Sequence, residues 1–498
     1  GLADDRLADV LVAQGRPLEA AALLPNAMSA PARLRRARVW AAAARWDEAE
    51  RESGAARAAA GGPDLDLALD LLDAEIAAGR EEFDRAEDRA RAVLTAAQGD
   101  ARCAALALLG RLVRRRHLGG ARVLFEQLLD TAEEHDLPLR RLDALHELST
   151  VDLLWSLDPG AAERAGGEAR RHGAVALVAF SAFHRAVIAC WRDEDEAADA
   201  LLGECEALCR SLQLPVLGMV LALRGLLAAR RGGDHETPCR AALAAADGDA
   251  HVRAAVSHAR ATRLLLAEDR PGALAVLDPS VAIYRRGLDT TSGPPLALWV
   301  LLAVLERGDD ALDEVADLPG LHLARWTVGH LGYAEAVSAG RRGCAEEAAA
   351  RYAAADATMT LPVPMPSFRH LARRHVAEAA AAEGWGDPAR WLREDEAYFR
   401  AQGHDRVAGA CRGLLRRLGE PVPRRTPGPA VPAALAGRSV TGREMEVLTL
   451  LVEGLPNPEI ARRLVVSVRT VEKHVEHLLA KLDAPSRTHL VARGARGW

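Results

Sequence analysis

From Leu2 to about Leu418 one interruption keeps returning: a Gly, Asp or Pro break, then Ala and Leu at helical spacing, then another break. Such breaks stand at Gly15-Arg16-Pro17, Arg45-Trp46-Asp47, Gly79-Arg80, Asp158-Pro159-Gly160 and Asp193-Glu194-Asp195. They continue at Gly232-Gly233-Asp234, Asp269-Arg270-Pro271, Gly340-Arg341 and Gly386-Asp387-Pro388. Where neighbouring breaks pair, their spacing runs from roughly the low thirties to the mid forties, the range of helical-hairpin repeats. A hairpin of that kind buries its apolar face only by stacking on its neighbours, so the segment predicts a curved array with a concave surface. Small residues recur where paired helices must approach: Ala49, Ala86, Ala121, Ala197-Ala198, Ala273 and Ala348.

Composition agrees with an all-α fold. Ala, Leu, Arg and the acidic residues dominate, and aromatic residues make up only 4% of the chain, which leaves little material for sheets. The match to a tetratricopeptide repeat is loose, and no unit carries the full pattern. At 498 residues the chain exceeds one compact core and divides into domains or an extended array. Two proline-rich stretches break the rhythm. Thr360-Leu-Pro-Val-Pro-Met-Pro366 cannot be helical throughout and reads as a rigid connector between hairpins. The segment from Gly419 to Pro432 reads as a stiff linker. The expected organisation is therefore a TPR-like α-solenoid over 1–418, a linker over 419–437, and a small terminal module over 438–498.

Charge is unevenly placed. From Arg438 to Trp498 ten Lys/Arg face seven Asp/Glu, a balance of +3, which leaves -9 of the overall -6 to the rest. A basic module on an acidic body points to nucleic acid at the C-terminus. The seven cysteines are scattered, as suits a reducing cytoplasm, and only Cys205 and Cys209 share a helix face, where they read as core. The longest apolar run, near Leu296–Leu305, is too short for a bilayer, and no signal peptide is evident. A cytoplasmic protein without a membrane segment is expected.

The terminal module reads residue by residue. Thr441-Gly-Arg-Glu444 is a capping box, with Val440 and Met445 placed as a hydrophobic staple across it. The first helix turns Val447, Leu448 and Leu451 inward and stops at Gly454. Asn457 is expected to cap a second helix carrying Ile460, Ala461 and Leu464, with Pro458 at its first position. Val465-Val466 leads to Ser467, the cap of a third helix over about Val468–Leu482. There Val471, Val475, Leu478 and Leu482 share one arc, while Arg469, Lys473, Glu476 and Ala480 face away with Glu472 and Thr470 on the flanks. Asp483-Ala-Pro485 ends it, and Ser486 opens a fourth short helix with Leu490 and Val491. Two capped helices joined by a short turn, the second with an exposed polar face, form the helix-turn-helix plan.

At this point the residues resemble a family. Thr441, Arg443-Glu444, Val447-Leu448, Gly454, Asn457, Glu459-Ile460-Ala461, Leu464, Ser467, Thr470-Val471-Glu472, His474, Lys481-Leu482 and Arg487 resemble the LuxR/response-regulator DNA-binding signature. The resemblance implies that the third helix enters the major groove of promoter DNA and that the fourth pairs two modules into a homodimer. It places Glu472, Lys473 and Glu476 where bases are read, and Arg469 and Thr470 where phosphate is held. Lys481 and Arg487 join the expected DNA-binding set. A glutamate repels phosphate but accepts from a cytosine amino group, so a solvated face is the competing reading for Glu472 and Glu476. His474 is expected to pack under the helix. Lys473 and Lys481 are the only lysines in the sequence.

The stretch Gly384-Trp-Gly-Asp-Pro-Ala-Arg-Trp-Leu-Arg393, with Phe399, Gly403, Arg406-Val407-Ala408 and Cys411-Arg412, is similar to the region before the LuxR module in large ATP-binding LuxR-type regulators. Those proteins open with an ATPase domain. No G-x-x-x-x-G-K-[ST] occurs here, since both lysines lie in the terminal module. An ATPase half upstream of Gly1 and a family member without one both stand open.

The leading expectation is a DNA-binding transcriptional regulator whose solenoid senses an unidentified small-molecule or protein effector. The alternative is an interaction scaffold in which the DNA module is secondary. An enzyme is not expected: H-E-x-x-H, G-x-S-x-G and a phosphate loop are missing, and the sixteen histidines lack ligand spacing. No cofactor or metal is expected, and Glu133-Glu134-His135-Asp136 reads as a polar helix end. Trp155, Trp191, Trp299 and Trp326 could line a pocket in the array, but ordinary core packing is the preferred reading.

Overall fold

The computed structural model describes residues 7–8, 17–24, 29–59, 62–246, 248–285, 294–318, 320–422, 432, 435, 437–464 and 466–494. Gly15-Arg16, Val465 and most of the proline-rich linker lie outside the described residues. Among the described residues all regular structure is helical. The first half comprises α1 (Pro17–Leu23), α2 (Ala30–Ala42), α3 (Trp46–Ala58), α4 (Pro63–Gly79), α5 (Phe83–Ala96), α6 (Gly99–Arg114), α7 (Leu118–Glu134), α8 (Pro138–Leu154), α9 (Gly160–Arg171), α10 (Val175–Trp191) and α11 (Asp195–Leu212). It continues with α12 (Leu217–Arg230), α13 (Glu236–Ala245), α14 (Ala250–Leu266), α15 (Arg270–Arg285), α16 (Pro294–Arg307), the single turn α17 (Asp310–Asp313), α18 (Arg325–Arg341), α19 (Ala345–Thr360) and α20 (Pro366–Glu383). A hairpin of α21 (Pro388–Ala401) and α22 (Asp405–Arg417) follows. The last four helices are α23 (Gly442–Val452), α24 (Asn457–Leu464), α25 (Val468–Lys481) and α26 (Arg487–Gly494).

The chain divides into two compact units, one of residues 1–265 with 269–386, the other of 266–268 with 387–498. The sequence suggested a division at 418/419. The hairpin α21–α22 falls in the second of these units.

Within the first unit one turn design joins the hairpins. The amide of Glu82 donates to Ala77 O at 2.9 Å, that of Glu194 to Ala189 O at 2.9 Å, and that of Cys344 to Ala339 O at 3.0 Å. Each bond closes over a left-handed residue, Glu81, Asp193 and Gly343 respectively. This is the Schellman closure, which satisfies carbonyls that the helix end would leave orphaned. Left-handed residues at Asp193, Gly232, Glu268, Gly308 and Gly343 lie 39, 36, 40 and 35 residues apart, so the repeat expected from the breaks is present in the backbone.

Packing follows the small residues. Ala49, Ala86, Ala121, Ala198, Ala273 and Ala348 are all completely buried, whereas Ala197 is exposed. A close approach falls at Gly110 of α6, where an added Cβ would stand 2.3 Å from the ring of Phe125 on α7, itself fully buried. Gly110→Ala should therefore destabilise the first unit by about 1–3 kcal/mol, although alanine is the better helix former. A urea midpoint that rises instead would show that the Phe125 ring yields.

The proline-rich connector between α19 and α20 is ordered and non-helical over residues 361–365. Arg325, 1% exposed, donates to Leu361 O at 3.0 Å and to Val363 O. Cys205 and Cys209 are completely buried, with sulfurs 3.8 Å apart. Burial first, and then Cys209, raise the thiol pKa of Cys205, and burial raises that of Cys209, so both sit as protonated core residues. Of the four tryptophans weighed above as pocket residues, Trp299 is buried and its indole donates to Asp278 at 2.8 Å. Trp155 is exposed, while Trp191 and Trp326 are buried. Among the described residues, no helix is long and apolar enough to cross a membrane.

Candidate nucleic-acid interface

The four terminal helices close on one apolar cluster that includes Val447, Leu448, Leu451, Ile460, Val471, Leu478, Leu482 and Leu490. The cap of α23 forms as its sequence demands. The Thr441 amide donates to Glu444 Oε2 at 2.8 Å, and the Glu444 amide donates to Thr441 Oγ1 at 3.3 Å. Val440 and Met445 both reach the same cluster, closing the staple. Gly454 is left-handed, and the Leu455 amide bonds back to Leu450 O, ending the helix.

Glu444 does more than cap. It is 3% exposed, and Lys481 at the far end of α25 donates to its Oε1 at 2.9 Å and Oε2 at 2.7 Å, and to Ser439 O at 2.8 Å. Burial alone would raise the carboxyl pKa. The Lys481 ammonium and the Thr441 donors overcome this and hold it below its ordinary value. Lys481, expected to meet DNA, is thus tied inside the module.

Two further expectations change. The amide of Ile460 bonds to Pro456 O, so Pro456 occupies the cap position and Asn457 is the first residue of α24. Asn457 does not cap with its side chain; its Oδ1 accepts from Arg487 at 2.5 Å, and Arg487 also donates to Leu455 O. Arg487, expected in the DNA-binding set, pins α26 to the turn before α24. Arg443 acts likewise, donating to Leu464 O at 2.8 Å and pairing with Glu446.

Ser467 caps α25, accepting from the Thr470 amide at 3.1 Å, while its hydroxyl lies 2.7 Å from that of Thr470. Val471, Val475, Leu478 and Leu482 are buried, as their shared arc requires. On the opposite side Arg469, Glu472, Lys473 and Glu476 are exposed, and among the described residues their side chains make no hydrogen bond or ion pair. Thr470 is half-buried at the start of that face. His474 is half-buried, its Nδ1 has no partner, and burial lowers its pKa, so it packs under the helix as a neutral ring.

Sequence reading passed over Arg462 and Arg463, adjacent exposed arginines on α24. Their pairs with Glu459 at 3.8 Å and Glu453 at 3.3 Å are surface contacts of little energy, so both remain available to an anion. The doubled arginine at the end of the second helix was the signal. Glu444, His474 and His477 present possible metal-ligand atoms within 4.8 Å of one another. Both Glu444 oxygens already accept from Lys481, which argues against a cation there.

Two short capped helices, with a polar outward face on the second, define a helix-turn-helix module. Residues 438–493 match the family described as bacterial regulatory proteins of the luxR family, so the chain carries a LuxR-family helix-turn-helix domain at its C-terminus. An HTH-type transcriptional regulator of Mycobacterium tuberculosis is 52% identical over 58 residues, which is 12% of this chain and 7% of that protein. The transcriptional regulatory protein LiaR of Bacillus subtilis is 37% identical over 83 residues, 17% of this chain and 34% of LiaR. The oxygen regulatory protein NreC of Staphylococcus carnosus is 46% identical over 54 residues, 11% of this chain and 25% of NreC. The chain thus spans about a third or less of each of these relatives. Among solved structures, a Rap protein complexed with competence and sporulation factor aligns with 78% of this chain and 96% of its own, at TM-score 0.40 and 12% identity.

Proposed function

We propose that this chain is a transcriptional regulator that reads promoter DNA with α25 in the major groove, while the solenoid senses an effector. The observation that carries the proposal is the division of labour among the module's cations. Lys481, Arg443 and Arg487 are spent inside, and Lys473 and Arg469 stand outside without partners. In this reading Lys473, with Glu472 and Glu476 beside it, meets base edges, and Arg469 and Thr470 hold phosphate. Arg462 and Arg463 add phosphate contacts from the helix that crosses the backbone. Two modules in a homodimer would meet half-sites about one helical turn apart.

The test is a titration of the purified chain against a duplex selected from a random pool, at about 50 and about 200 mM salt. Affinity should fall steeply between the two. Lys473→Ala should weaken specific binding by about tenfold or more and flatten the salt slope by about one. Equal binding by the variant and the parent, on selected and unselected DNA alike, would refute the docking of α25.

A further inference from the structure

Seven helices of the first unit, α6, α8, α10, α12, α14, α16 and α18, turn side chains into one cavity of about 360 Å³. Native interiors pack with few voids larger than a water molecule, and small-molecule sites begin near this size. Phe180, Phe183, Val187, Leu223 and Leu226 make most of the wall apolar.

Polar groups in the wall are Arg114, Glu147, Thr150, four histidines and two tryptophans. Trp191 and Trp326 meet edge to face with centroids 6.0 Å apart, and both line the cavity. They are 5% and 1% exposed, and neither indole N–H has a hydrogen-bond partner. Both nitrogens are sealed from solvent-sized space, so what the two rings present to the cavity is carbon. His184 and His258, also in the wall, are kept neutral by burial, with pKa values lowered to about 3. The Ser149 hydroxyl donates to His146 O and lies 2.7 Å from His184 Nδ1, which leaves that nitrogen as the donor between them. The one carboxylate present, Glu147, is paired with Arg114 at 2.5 Å. A neutral imidazole whose Nδ1 donates keeps Nε2 as an acceptor, so the lining offers aromatic faces, neutral donors and acceptors, and one paired charge.

We propose that this cavity is the ligand site of the solenoid and takes an uncharged, largely apolar aromatic molecule of drug size. The inference deepens the sensor role proposed above and rests on it. A peptide fits less well, since its charged termini would meet no free charge.

The probe is prodan, a neutral naphthyl ketone dye, titrated into the full chain and followed by its emission. Saturable one-to-one binding with blue-shifted emission is expected. Anilinonaphthalene sulfonate, an anion, and an unlabelled apolar peptide should compete at least tenfold more weakly. Ala255→Trp, which fills the cavity from α14, should weaken prodan binding at least tenfold with helical content retained; Val187→Trp on α10 serves if that variant does not fold. No saturable binding, undiminished binding in the filled variants, or tighter binding of the anion or the peptide would each overturn the proposal. The DNA titration, run in parallel, separates the two readings. Prodan bound without any DNA binding sinks the regulator and leaves the cavity's chemistry standing, and the reverse result sinks the cavity alone.

Discussion

Moved from about pH 7.5 to about pH 5, the solenoid should lose most of its stability through histidines buried in neutral form. His184, His258, His330 and His375 are all at least nine-tenths buried. Burial lowers the pKa of His184 and His258 to about 3, that of His330 to about 4, and that of His375 well below the ordinary value. Neighbouring positive groups add to the effect: Arg114 at His184, Arg230 at His258, and Arg374 and Arg270 at His375. The sign follows from which state takes the proton. Below about pH 6.5 the unfolded chain binds protons that the folded chain refuses, so the stability present above that value drains away as pH falls toward the folded pKa values. Each histidine then contributes a slope of up to ~1.4 kcal/mol per pH unit, and four reach ~5 kcal/mol per unit, comparable with the whole stability of a domain. Neither ring nitrogen of His375 has a hydrogen-bond partner, so His375→Leu should cost little at neutral pH and should flatten the slope by about one proton. Urea midpoints that match at the two pH values would contradict this.

The second large effect is expected at Glu444. Its carboxylate closes the cap of α23 and, through Lys481, anchors the far end of α25. Glu444→Ala removes a cap contribution of about 1 kcal/mol and leaves Lys481 without its buried partner. Lys481 is itself 29% exposed and regains some water, so the total should be about 2–3 kcal/mol. A module of this size rarely holds more than about 3–5 kcal/mol, so most of its folded population should go, and DNA binding with it. Glu444→Gln keeps an acceptor for the cap but loses the charge, and should cost about half as much. Because the folded pKa of Glu444 is lowered, its contribution persists down to about its ordinary value of 4.5 and fades below that, so the module should outlast the solenoid in acid. Thermal melts of both variants, read through the helicity of residues 438–498, check the ordering. Equal melting of Ala, Gln and parent would dismiss the role.

Much of this was legible in the sequence where a local rule applies. The capping box, the Ser467 cap and the two faces of α25 depend on contacts within one or two helical turns, and a spacing of 3.6 residues writes them directly into the residue order. The buried alanines from Ala49 to Ala348 were legible because a close helix approach admits little else. What was not legible depends on long side chains reaching across the fold. Nothing local shows that Lys481 reaches Glu444, that Arg487 finds Asn457, or that Arg325 holds the carbonyls of a connector 36 and 38 residues away. Composition could not distinguish Trp299, satisfied by Asp278, from Trp191 and Trp326, whose donors are unsatisfied beside a cavity, because tertiary packing alone decides it.

The chemistry of lysine gives the most direct test of α25 as the DNA-reading helix. With only Lys473 and Lys481 in the chain, lysine-selective acylation followed by mass spectrometry reports two side chains, one exposed and unpaired, the other bound to Glu444. Saturating the protein with its selected duplex should suppress labelling of Lys473 severalfold while leaving that of Lys481 unchanged. Labelling of Lys473 at the same rate in the free and the DNA-bound protein would contradict the assignment.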